Sequence, residues 1–392
     1  MSTNPVIIIL GYNRANSLSR LFRTINEASY TQAVKLIISL DGGSEANVIE
    51  CAEKFNFKHG EKEVILHDEN LGLKNHVFYC AGLTKKYGSA IILEDDLIVD
   101  TNFYQYACDA LSINLREEKN IAGYALYSPR YNEYAQLPFE PVNTNHSVYA
   151  MQVPCSWGQV WTHEQWTEFE SWYEAYTEDQ LKNAFLPDAV KKWGHGSWKK
   201  IFNTYLVEKN KYFLYPYNSY TSNCGEGSGV NISFSTGIFQ VPVNLHEVSY
   251  RNKKFPLFDD LVKYDAFMEL SDLKNFSING IKISDIEIDL YGTKTITPKC
   301  EKEYLLTIRR ISKYIKRYPL KYKPFISNTL SFFEESKGVL RLAKISDVVH
   351  SGTADKYHLI KYLSYTKLDN KTNMLSLIRG FMLEIVNRFR SN

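Results

Sequence analysis

Four short runs of apolar residues near the start of the chain predict the strands of a buried sheet. They are Val6–Leu10, Leu36–Leu40, Val64–His67 and Ala90–Leu93. The runs are nearly continuous and do not alternate with polar residues, which is typical of parallel strands covered on both faces. The sequence therefore predicts a mostly parallel sheet that lies between two layers of other structure.

The segments between these runs carry helical spacing of apolar residues. They are Ser17–Glu27, Ala46–Phe57 and Lys74–Tyr87. Strands that alternate with helices in this way predict an α/β fold of the Rossmann-like kind, with helices on both faces of the sheet. In open sheets of this class, ligands bind outside the carboxyl ends of the strands. The polar residues at those ends are therefore the first candidates for a functional site.

The fourth strand ends in three consecutive carboxylates, Glu94-Asp95-Asp96. Three like charges at a strand end cost stability unless a cation lies among them. A hard divalent cation takes oxygen ligands, and one or two carboxylates suffice where a bound phosphate supplies the rest. The triplet therefore indicates a site for a hard divalent metal ion; an ordinary acidic loop is the alternative.

Two earlier strands also end in polar turns that could hold a ligand. The first leads into Tyr12-Asn13-Arg14, and the second into Asp41-Gly42-Gly43. Because carboxyl ends of parallel strands meet at one edge of the sheet, these turns are expected beside the acidic triplet.

Over roughly Pro5 to Val243, this pattern resembles a GT-A fold glycosyltransferase, most closely the N-acetylglucosaminyltransferase I family and its bacterial relatives. The matching elements are the two turns just named and Glu94-Asp95-Asp96-Leu97 with the following Phe103–Tyr106. The resemblance implies that Asp96 coordinates the metal ion. It also implies donor contacts of a UDP-sugar, possibly UDP-GlcNAc, for a further group of residues: Tyr12, Arg14, Asp41, Glu94 and Asp95.

All six tryptophans fall between positions 157 and 198. Aromatic rings can cover the apolar face of a sugar, although a cluster of this kind can also be a packed aromatic core, which we expect for Trp166 and Trp172. The segment around Trp157 and Gly158 resembles the stretch that lines the sugar pocket in the family. Two further tryptophans, Trp193 and Trp198, flank the position of the family's catalytic acid, and all four residues are predicted to bind the acceptor.

Between Trp193 and Trp198 this chain lacks the acids that the family carries. An inverting transfer, which the resemblance favours over retention, needs a base for the acceptor hydroxyl. His195 is predicted to be that base, with Asp188 and then Glu226 as alternatives; a histidine that merely packs or caps is equally compatible with the sequence.

A glycine-rich stretch follows in the same half of the chain. It spans positions 223–229 and is read as a mobile loop, with Asn223, Glu226 and Ser228 as donor contacts; a plain surface turn is the alternative.

The chain of 392 residues has a net charge of only +2, but the charges are unevenly distributed. Positions 301–392 hold 18 Lys and Arg against 8 Asp and Glu. We expect a catalytic domain over 1–250, with a nucleotide-sugar half at 1–110 and an acceptor half at 111–250. A mixed connecting segment would follow at 251–300, and a mainly helical, basic region at 301–392.

Two amphipathic stripes are the basis for the helical C-terminal prediction. One runs through Leu305, Ile308, Ile311 and Ile315, and the other from Met374 to Phe389. Basic amphipathic helices can lie on anionic membranes, but such stripes more often dock on the protein's own core.

No signal peptide, membrane-spanning run, or paired cysteine spacing is present in the sequence, and no feature indicates nucleic acid. We therefore expect a cytoplasmic protein, with the membrane's inner face as a candidate contact. The expected function is transfer of a sugar to a glycan or lipid-linked glycan in bacterial surface polysaccharide assembly. Two alternatives stay open: a nucleotidyltransferase acting on a sugar phosphate, and a non-catalytic sugar-binding or scaffold protein.

Overall fold

The computed structural model of the chain divides into two compact units, each considered by itself. The first comprises residues 1–277 and 282–284, and the second comprises residues 278–281 and 285–392. Within the two units the structure describes residues 4–113, 118–226, 236–246, 249–251, 253, 255–296, 301–330, 338–348, 354, 359, 360 and 362.

The first hundred residues alternate strands with helices, so the predicted order is confirmed. The third predicted helix, Lys74–Tyr87, forms two consecutive helices. The elements are β1 Val6–Gly11, α1 Ala15–Glu27, β2 Leu36–Leu40, α2 Ala46–Lys54, β3 Lys62–Leu66, α3 Gly72–Gly82, α4 Thr84–Tyr87, β4 Ser89–Glu94, β5 Leu97–Val99 and α5 Phe103–Leu111.

The rest of the first unit mixes short strands with helices. The helix α6, His163–Tyr173, begins with a capping box. The Thr162 side chain accepts from the Gln165 backbone N–H (3.2 Å), and Gln165 Oε1 accepts from the Thr162 N–H (3.1 Å). The elements are β6 Ile121–Ala125, β7 Tyr131–Asn132, β8 Leu137–Pro138, β9 Val148–Met151, β10 Gln159–Thr162, α6 His163–Tyr173, α7 Glu178–Asn183, α8 Asp188–Lys191, α9 Trp198–Glu208, β11 Tyr212–Pro216, β12 Thr221–Asn223, β13 Lys263–Tyr264 and β14 Leu270–Asp272. Two further strands, β15 Ser277–Ile278 and β16 Ile281–Lys282, cross the boundary between the two units in the sequence.

A central ten-stranded sheet organises this unit, in the order β14-β13-β9-β11-β6-β10-β4-β1-β2-β3. The half formed by β4, β1, β2 and β3 is wholly parallel, and Ile8 of β1 pairs with both Ile37 and Ile92. Beyond β4 the sheet becomes mixed, because β10 lies antiparallel between β4 and β6. The α/β fold with a mostly parallel sheet is confirmed, and the inserted antiparallel strand is a feature that the sequence pattern did not predict.

Both faces of the sheet are covered by helices. Side chains of α1, α2 and α5 form one cluster with alternate strand residues such as Ile7 and Ile9. On the other face, α3 packs on β1 and β4, while α6 packs on β6 and β10. Ile8 and its neighbours in β1 are therefore buried on either side, at a gain of about 1.5–3 kcal/mol for each fully buried aliphatic side chain.

The described part of the second unit contains a sheet, and three of its four strands lie within 301–392, where we expected helices. Its strands are β17 Ile286–Asp289, β18 Tyr304–Thr307, β19 Lys316–Tyr318 and β20 Leu340–Lys344, in the order β17-β18-β20-β19. The predicted helix through Leu305 and Ile315 is therefore wrong. Leu305 and Leu306 are consecutive and both fully buried, because β18 pairs with a strand on either side. The spacing of apolar residues at about every third position, on which the helix prediction rested, was incidental. The predicted final helix, 374–389, lies outside the described residues.

Some of the basic residues of the second unit form hydrogen bonds and ion pairs inside that unit. Arg309 donates through Nε to Asp289 Oδ2 at 2.8 Å, and through Nη2 to the carbonyls of Gly292 (2.9 Å) and Lys294 (2.7 Å). The ammonium group of Lys294 is itself buried against the Glu287 carboxylate. Part of the positive charge counted in this region is therefore neutralised internally. No helix of the described residues is long and apolar enough to cross a bilayer.

Candidate active site

The acidic triplet lies at the carboxyl end of β4, near the middle of the sheet. After Asp96 the chain turns into β5, which pairs antiparallel with β12 so that Leu97 lies opposite Asn223. The backbone carbonyl of Asp96 also accepts from the Cys224 N–H at 2.9 Å. Asp95 and Asp96 are buried, whereas Glu94 is half-buried. Two sheets thus hold three carboxylates at one rigid position.

Arg14 contacts this triplet from the neighbouring strand. It follows β1, which is parallel to β4 and in register with it, so that Leu10 lies opposite Glu94. Its guanidinium donates to both oxygens of Asp95, through Nε at 3.3 Å to Oδ2 and through Nη2 to Oδ1, and through Nη1 to Asp96 Oδ2 at 3.2 Å. The structure therefore brings together the ends of the first and fourth strands.

One guanidinium does not balance three carboxylates. Burial raises the pKa of Asp95 to about 6, although the charge of Arg14 lowers it. Burial, and then the charges of Asp96 and Asp95, raise the pKa of Glu94 above its ordinary value. The raised pKa values show that the cluster disfavours its own negative charge and would be stabilised by a further cation.

The residues at this position fit a divalent cation bound together with an oxygen-rich ligand. Asp96 Oδ1 is buried and has no hydrogen-bond partner in the described structure, and the same is true of Asn223 Nδ2. In the described residues no group of three or more His, Cys, Asp or Glu side chains is arranged to hold a metal ion. A cation here would take Asp96 and complete its shell with ligand and water oxygens, as Mg²⁺ commonly does.

Asp41 holds a neighbouring loop in place. Its Oδ1 accepts from the backbone N–H of Gly42 (2.9 Å) and Leu71 (2.7 Å), and its Oδ2 accepts from Gly72 (3.1 Å). A Cβ at Gly42 would lie 2.1 Å from the Glu69 carbonyl carbon, so this position requires glycine. Three of about four acceptor sites on Asp41 are therefore used within the protein, which leaves room for one further donor.

Tyr12 is the exposed aromatic ring of this edge. Its side chain is 42% exposed, and its hydroxyl lies 3.9 Å from where a Cβ of Gly43 would be. The exposed Tyr12 ring therefore lies beside the glycine turn that follows Asp41, and an exposed aromatic ring is a surface on which a nucleobase can stack.

Glu226 is attached to helix α1. Its carboxylate accepts from Ser17 Oγ and from Arg20 Nη1, the latter at 2.6 Å. The hydrogen bond from Arg20 is the main reason that the pKa of Glu226 is lowered. A carboxylate that is held ionised in this way is a weak proton acceptor near neutral pH, so its position favours a structural role over that of a base. Ser228 and the rest of 227–235 lie outside the described residues.

The structure does not bring the other two candidate bases to the triplet. The side chain of His195 is 93% exposed, and its Nδ1 lies 3.8 Å from Glu178 Oε1. Asp188 is exposed at the start of α8. In the described structure no hydrogen bond or ion pair joins either residue to Glu94, Asp95 or Asp96.

A cleft of about 370 Å³ lies beside Trp157. Gln159 of β10 pairs antiparallel with Ile92 of β4, so the segment that leads from Trp157 into β10 approaches the end of β4 at which the triplet lies. The walls are mainly aromatic and apolar, with a few polar groups: Tyr127, Pro129, Tyr131, Glu133, Met151, Val153, Pro154, Cys155, Ser156, Trp157, Lys199, Tyr215, Phe239 and Met268.

One charged pair lies in the wall of the cleft. Lys199 donates to Glu133 Oε1 at 3.1 Å, and its ammonium lies 5.8 Å from the Trp157 ring centroid and 5.3 Å from that of Trp193. The charge of Lys199 also lowers the pKa of Glu94, against the larger effect of burial. Lys199 therefore links the cleft to the triplet, a role that sequence reasoning missed because nothing in the sequence distinguishes Lys199 or Glu133 from surface charges.

Two predicted acceptor residues have structural roles instead. Trp198 is only 2% exposed and packs against Trp161 (5.9 Å) and Phe202 (6.3 Å), so the prediction that it touches a ligand is wrong. Gly158 is buried with φ +92°, and a Cβ there would lie 2.9 Å from Thr221. It shapes the turn before β10, while Trp157 remains in the cleft wall and Trp193 packs on Lys199.

No family model matches the sequence, and neither does any curated protein. Solved structures show a distant likeness. One is the mannosyltransferase PcManGT from Pyrobaculum calidifontis in complex with GDP-Man and Mn²⁺, with 10% identity over 46% of this chain and 52% of that one, and a TM-score of 0.32.

Two others are similarly distant. Residues 1–349 of S. aureus TarS, in complex with UDP, give 11% identity over 56% of this chain and 59% of that one, with a TM-score of 0.35. GalNAc-T7 with UDP, GalNAc and Mn²⁺ gives 13% identity over 54% of this chain and 42% of that one, with a TM-score of 0.36. The matched part is less than two thirds of each of these chains, and at such values the likeness assigns no role to any residue.

Proposed function

We propose that this chain is a metal-dependent glycosyltransferase with a GT-A fold, which moves a sugar from a UDP-sugar to a glycan hydroxyl. The observation that carries the proposal is the position of Asp96. It has a buried, unpartnered carboxylate oxygen, it follows two more acids at the end of β4, and its other oxygen accepts from Arg14.

The donor would lie along the ends of β1, β2 and β4. The surface of Tyr12 and Gly43 suits the base, and the remaining acceptor site of Asp41 suits one donor on the uridine. Asp96 would hold the metal ion, Mn²⁺ or Mg²⁺, and Arg14 and Asn223 border the same place. Such an ion stabilises the negative charge that develops on the diphosphate as it leaves.

The acceptor would lie in the cleft. Trp157 offers a face for the apolar side of a pyranose ring, and the adjacent Lys199 and Glu133 offer a donor and an acceptor to sugar hydroxyls. We place the proton acceptor of an inverting transfer at Glu133, since its carboxylate lines the cleft, whereas His195 is exposed beside Glu178.

The acceptor class is proposed as a glycan or lipid-linked glycan of a bacterial surface polysaccharide. The support is the excess of 10 positive charges over residues 301–392, which would favour an anionic lipid carrier near a membrane. The pairing of Arg309 with Asp289 reduces, but does not remove, that excess.

The test is a calorimetric titration of UDP, with and without Mn²⁺, into wild type, Asp96→Asn and the control Asp188→Asn. We expect UDP binding to require Mn²⁺ and to weaken about tenfold or more in Asp96→Asn, because the substituted amide is a poorer metal ligand than a carboxylate. Asp188→Asn should match wild type, since Asp188 is exposed at α8. A wild type that does not bind UDP in either condition would contradict the donor class.

Glu133→Gln should bind UDP as wild type does, because its side chain lies in the cleft and not at the donor site. In the presence of an acceptor its turnover should fall, whereas His195→Ala should retain wild-type turnover. The reverse result would return the base to His195.

A further inference from the structure

Arg14 bonds the same carboxylates that would hold a metal ion. Its guanidinium bonds both oxygens of Asp95 and one oxygen of Asp96, while the other oxygen of Asp96 is buried without a partner in the described structure. A single carboxylate thus has one oxygen engaged by an internal cation and the other open to an external one.

The position of Arg14 allows its side chain to leave while the backbone stays fixed. Its carbonyl accepts the Leu18 N–H at 3.0 Å, which ties the residue to the first turn of α1. Its side chain is 20% exposed, so part of it faces solvent. A change of rotamer would move the charge while the backbone hydrogen bond to Leu18 is kept.

A divalent ion on Asp96 would face the guanidinium across one carboxylate. Like charges at such short range repel, and the repulsion is strong where water is largely excluded. The guanidinium can move away readily only if another anion takes its hydrogen bonds. A nucleoside diphosphate bound at this edge would be that anion, because arginine bonds phosphate oxygens in a planar, bidentate fashion.

We propose that Arg14 is a placeholder cation, which occupies Asp95 and Asp96 in the absence of ligand and releases Asp96 when a nucleoside diphosphate arrives with the metal ion. The inference rests on the proposed function. Its consequence is that the protein binds the divalent ion weakly by itself and well only together with the nucleotide. A donor site filled by a metal ion alone would thereby be avoided.

The alternative is that Arg14 is a fixed structural partner of the carboxylates. In that case its removal would leave buried carboxylates without their cation, and Mn²⁺ would bind more tightly whether or not UDP is present. The two descriptions therefore differ in whether UDP abolishes the gain in metal affinity, so metal titrations without and with nucleotide separate them.

The experiment is a titration of Mn²⁺ followed by electron paramagnetic resonance of the free ion, on the full chain. The variants are Arg14→Gln, Asp96→Asn and the control Arg23→Gln, an exposed arginine of α1 that pairs only with Glu27 in the described structure. Without UDP, we expect Arg14→Gln to bind Mn²⁺ about tenfold more tightly than wild type, within the usual range of coupling between sites. Arg23→Gln should match wild type, and Asp96→Asn should bind least.

With saturating UDP, the advantage of Arg14→Gln should disappear, and its affinity for UDP should fall. If Arg14→Gln is poorly folded by circular dichroism, Arg14→Lys serves instead; it keeps the charge but loses the fork of donors, and should show a smaller gain. Mn²⁺ binding in Arg14→Gln and Arg14→Lys that is equal to or weaker than in wild type, or a gain that persists with saturating UDP, would overturn the inference.

The outcome also separates this inference from the proposed function. Mn²⁺-dependent UDP binding in wild type, together with unchanged Mn²⁺ affinity in Arg14→Gln, rejects the placeholder role alone. Absence of Mn²⁺ binding in wild type with UDP and in Arg14→Gln without it rejects both.

Discussion

At the scale of single residues, a buried hydroxyl lies between two histidines behind the donor edge. Ser39 Oγ of β2 lies 2.8 Å from His76 Nε2 and 3.0 Å from His67 Nε2. His76 is only 4% exposed, and burial lowers its pKa from 6.5 to about 4. The folded protein therefore keeps this imidazole neutral at pH values where an unfolded chain would protonate it.

This difference predicts a loss of stability in mild acid. Between pH 6.5 and about 4 the unfolded chain gains a proton at His76 that the folded chain does not, so the free energy of unfolding should decrease as the pH falls through that window. The full effect is about 3 kcal/mol. Above pH 6.5 the contribution is constant.

The measurement is urea unfolding of wild type and His76→Gln at several pH values from 7 to 4. In the variant, the free energy of unfolding should depend less steeply on pH, because the amide does not titrate. The amide can still form a hydrogen bond with Ser39. His195→Gln is the control, since its exposed imidazole is in water in both states. An unchanged pH slope in His76→Gln would contradict the assignment.

At the scale of elements, apolar residues three or four positions apart predicted helices correctly in the first unit and wrongly in the second. In α1 the apolar residues recur on one face over 13 residues. In β18 they fall within four residues that are paired on both sides. Periodicity alone does not separate a short buried strand from part of a helix.

Leu305 and Ile315 belonged to one predicted stripe, and the structure gives them different environments. Leu305 is fully buried, whereas Ile315 is 43% exposed. We expect Leu305→Ala to destabilise the sheet of the second unit by about 2–5 kcal/mol, since it removes buried contacts on both sides of β18. Ile315→Ala should cost only about 0.5–1 kcal/mol.

Amide hydrogen exchange read by mass spectrometry is the suitable measurement, because all six tryptophans lie between 157 and 198 and report only on the first unit. Exchange over Tyr304–Thr307 should be accelerated in Leu305→Ala alone. Equal acceleration of exchange in both variants would favour the predicted helix, in which Leu305 and Ile315 lie on the same face.

At the scale of the whole molecule, the proposed donor site and the cleft both belong to the first unit. The donor residues fall between Tyr12 and Glu226, and the cleft adds positions up to Met268. A fragment of residues 1–284 is therefore expected to bind UDP with Mn²⁺ within about threefold of the full chain, a difference below about 0.7 kcal/mol.

Calorimetry on the fragment and the full chain checks this expectation, after circular dichroism has shown that the fragment is folded. A folded fragment without UDP binding would mean that the second unit takes part in the donor site.

The sequence by itself determined the strand and helix order of the first hundred residues and the clustering of Arg14 with the Glu94-Asp95-Asp96 triplet. The physical reason is local: short, continuous apolar runs that alternate with helical segments favour buried parallel strands, and the carboxyl ends of such strands meet at one edge. Asp41 was also placed at that edge, although its bonds to the loop before α3 were not predictable.

Only the tertiary structure decided the cleft and the roles of its residues. Glu133, Trp157 and Lys199 come from separate loops and helices, and they meet because β10 inserts antiparallel beside β4. Whether a tryptophan lines a cleft or fills a core depends on what packs against it, which is why Trp157 and Trp198 look alike in the sequence and differ in the fold. These environments depend on residues that are distant in the sequence, so the spacing of neighbouring residues does not predict them.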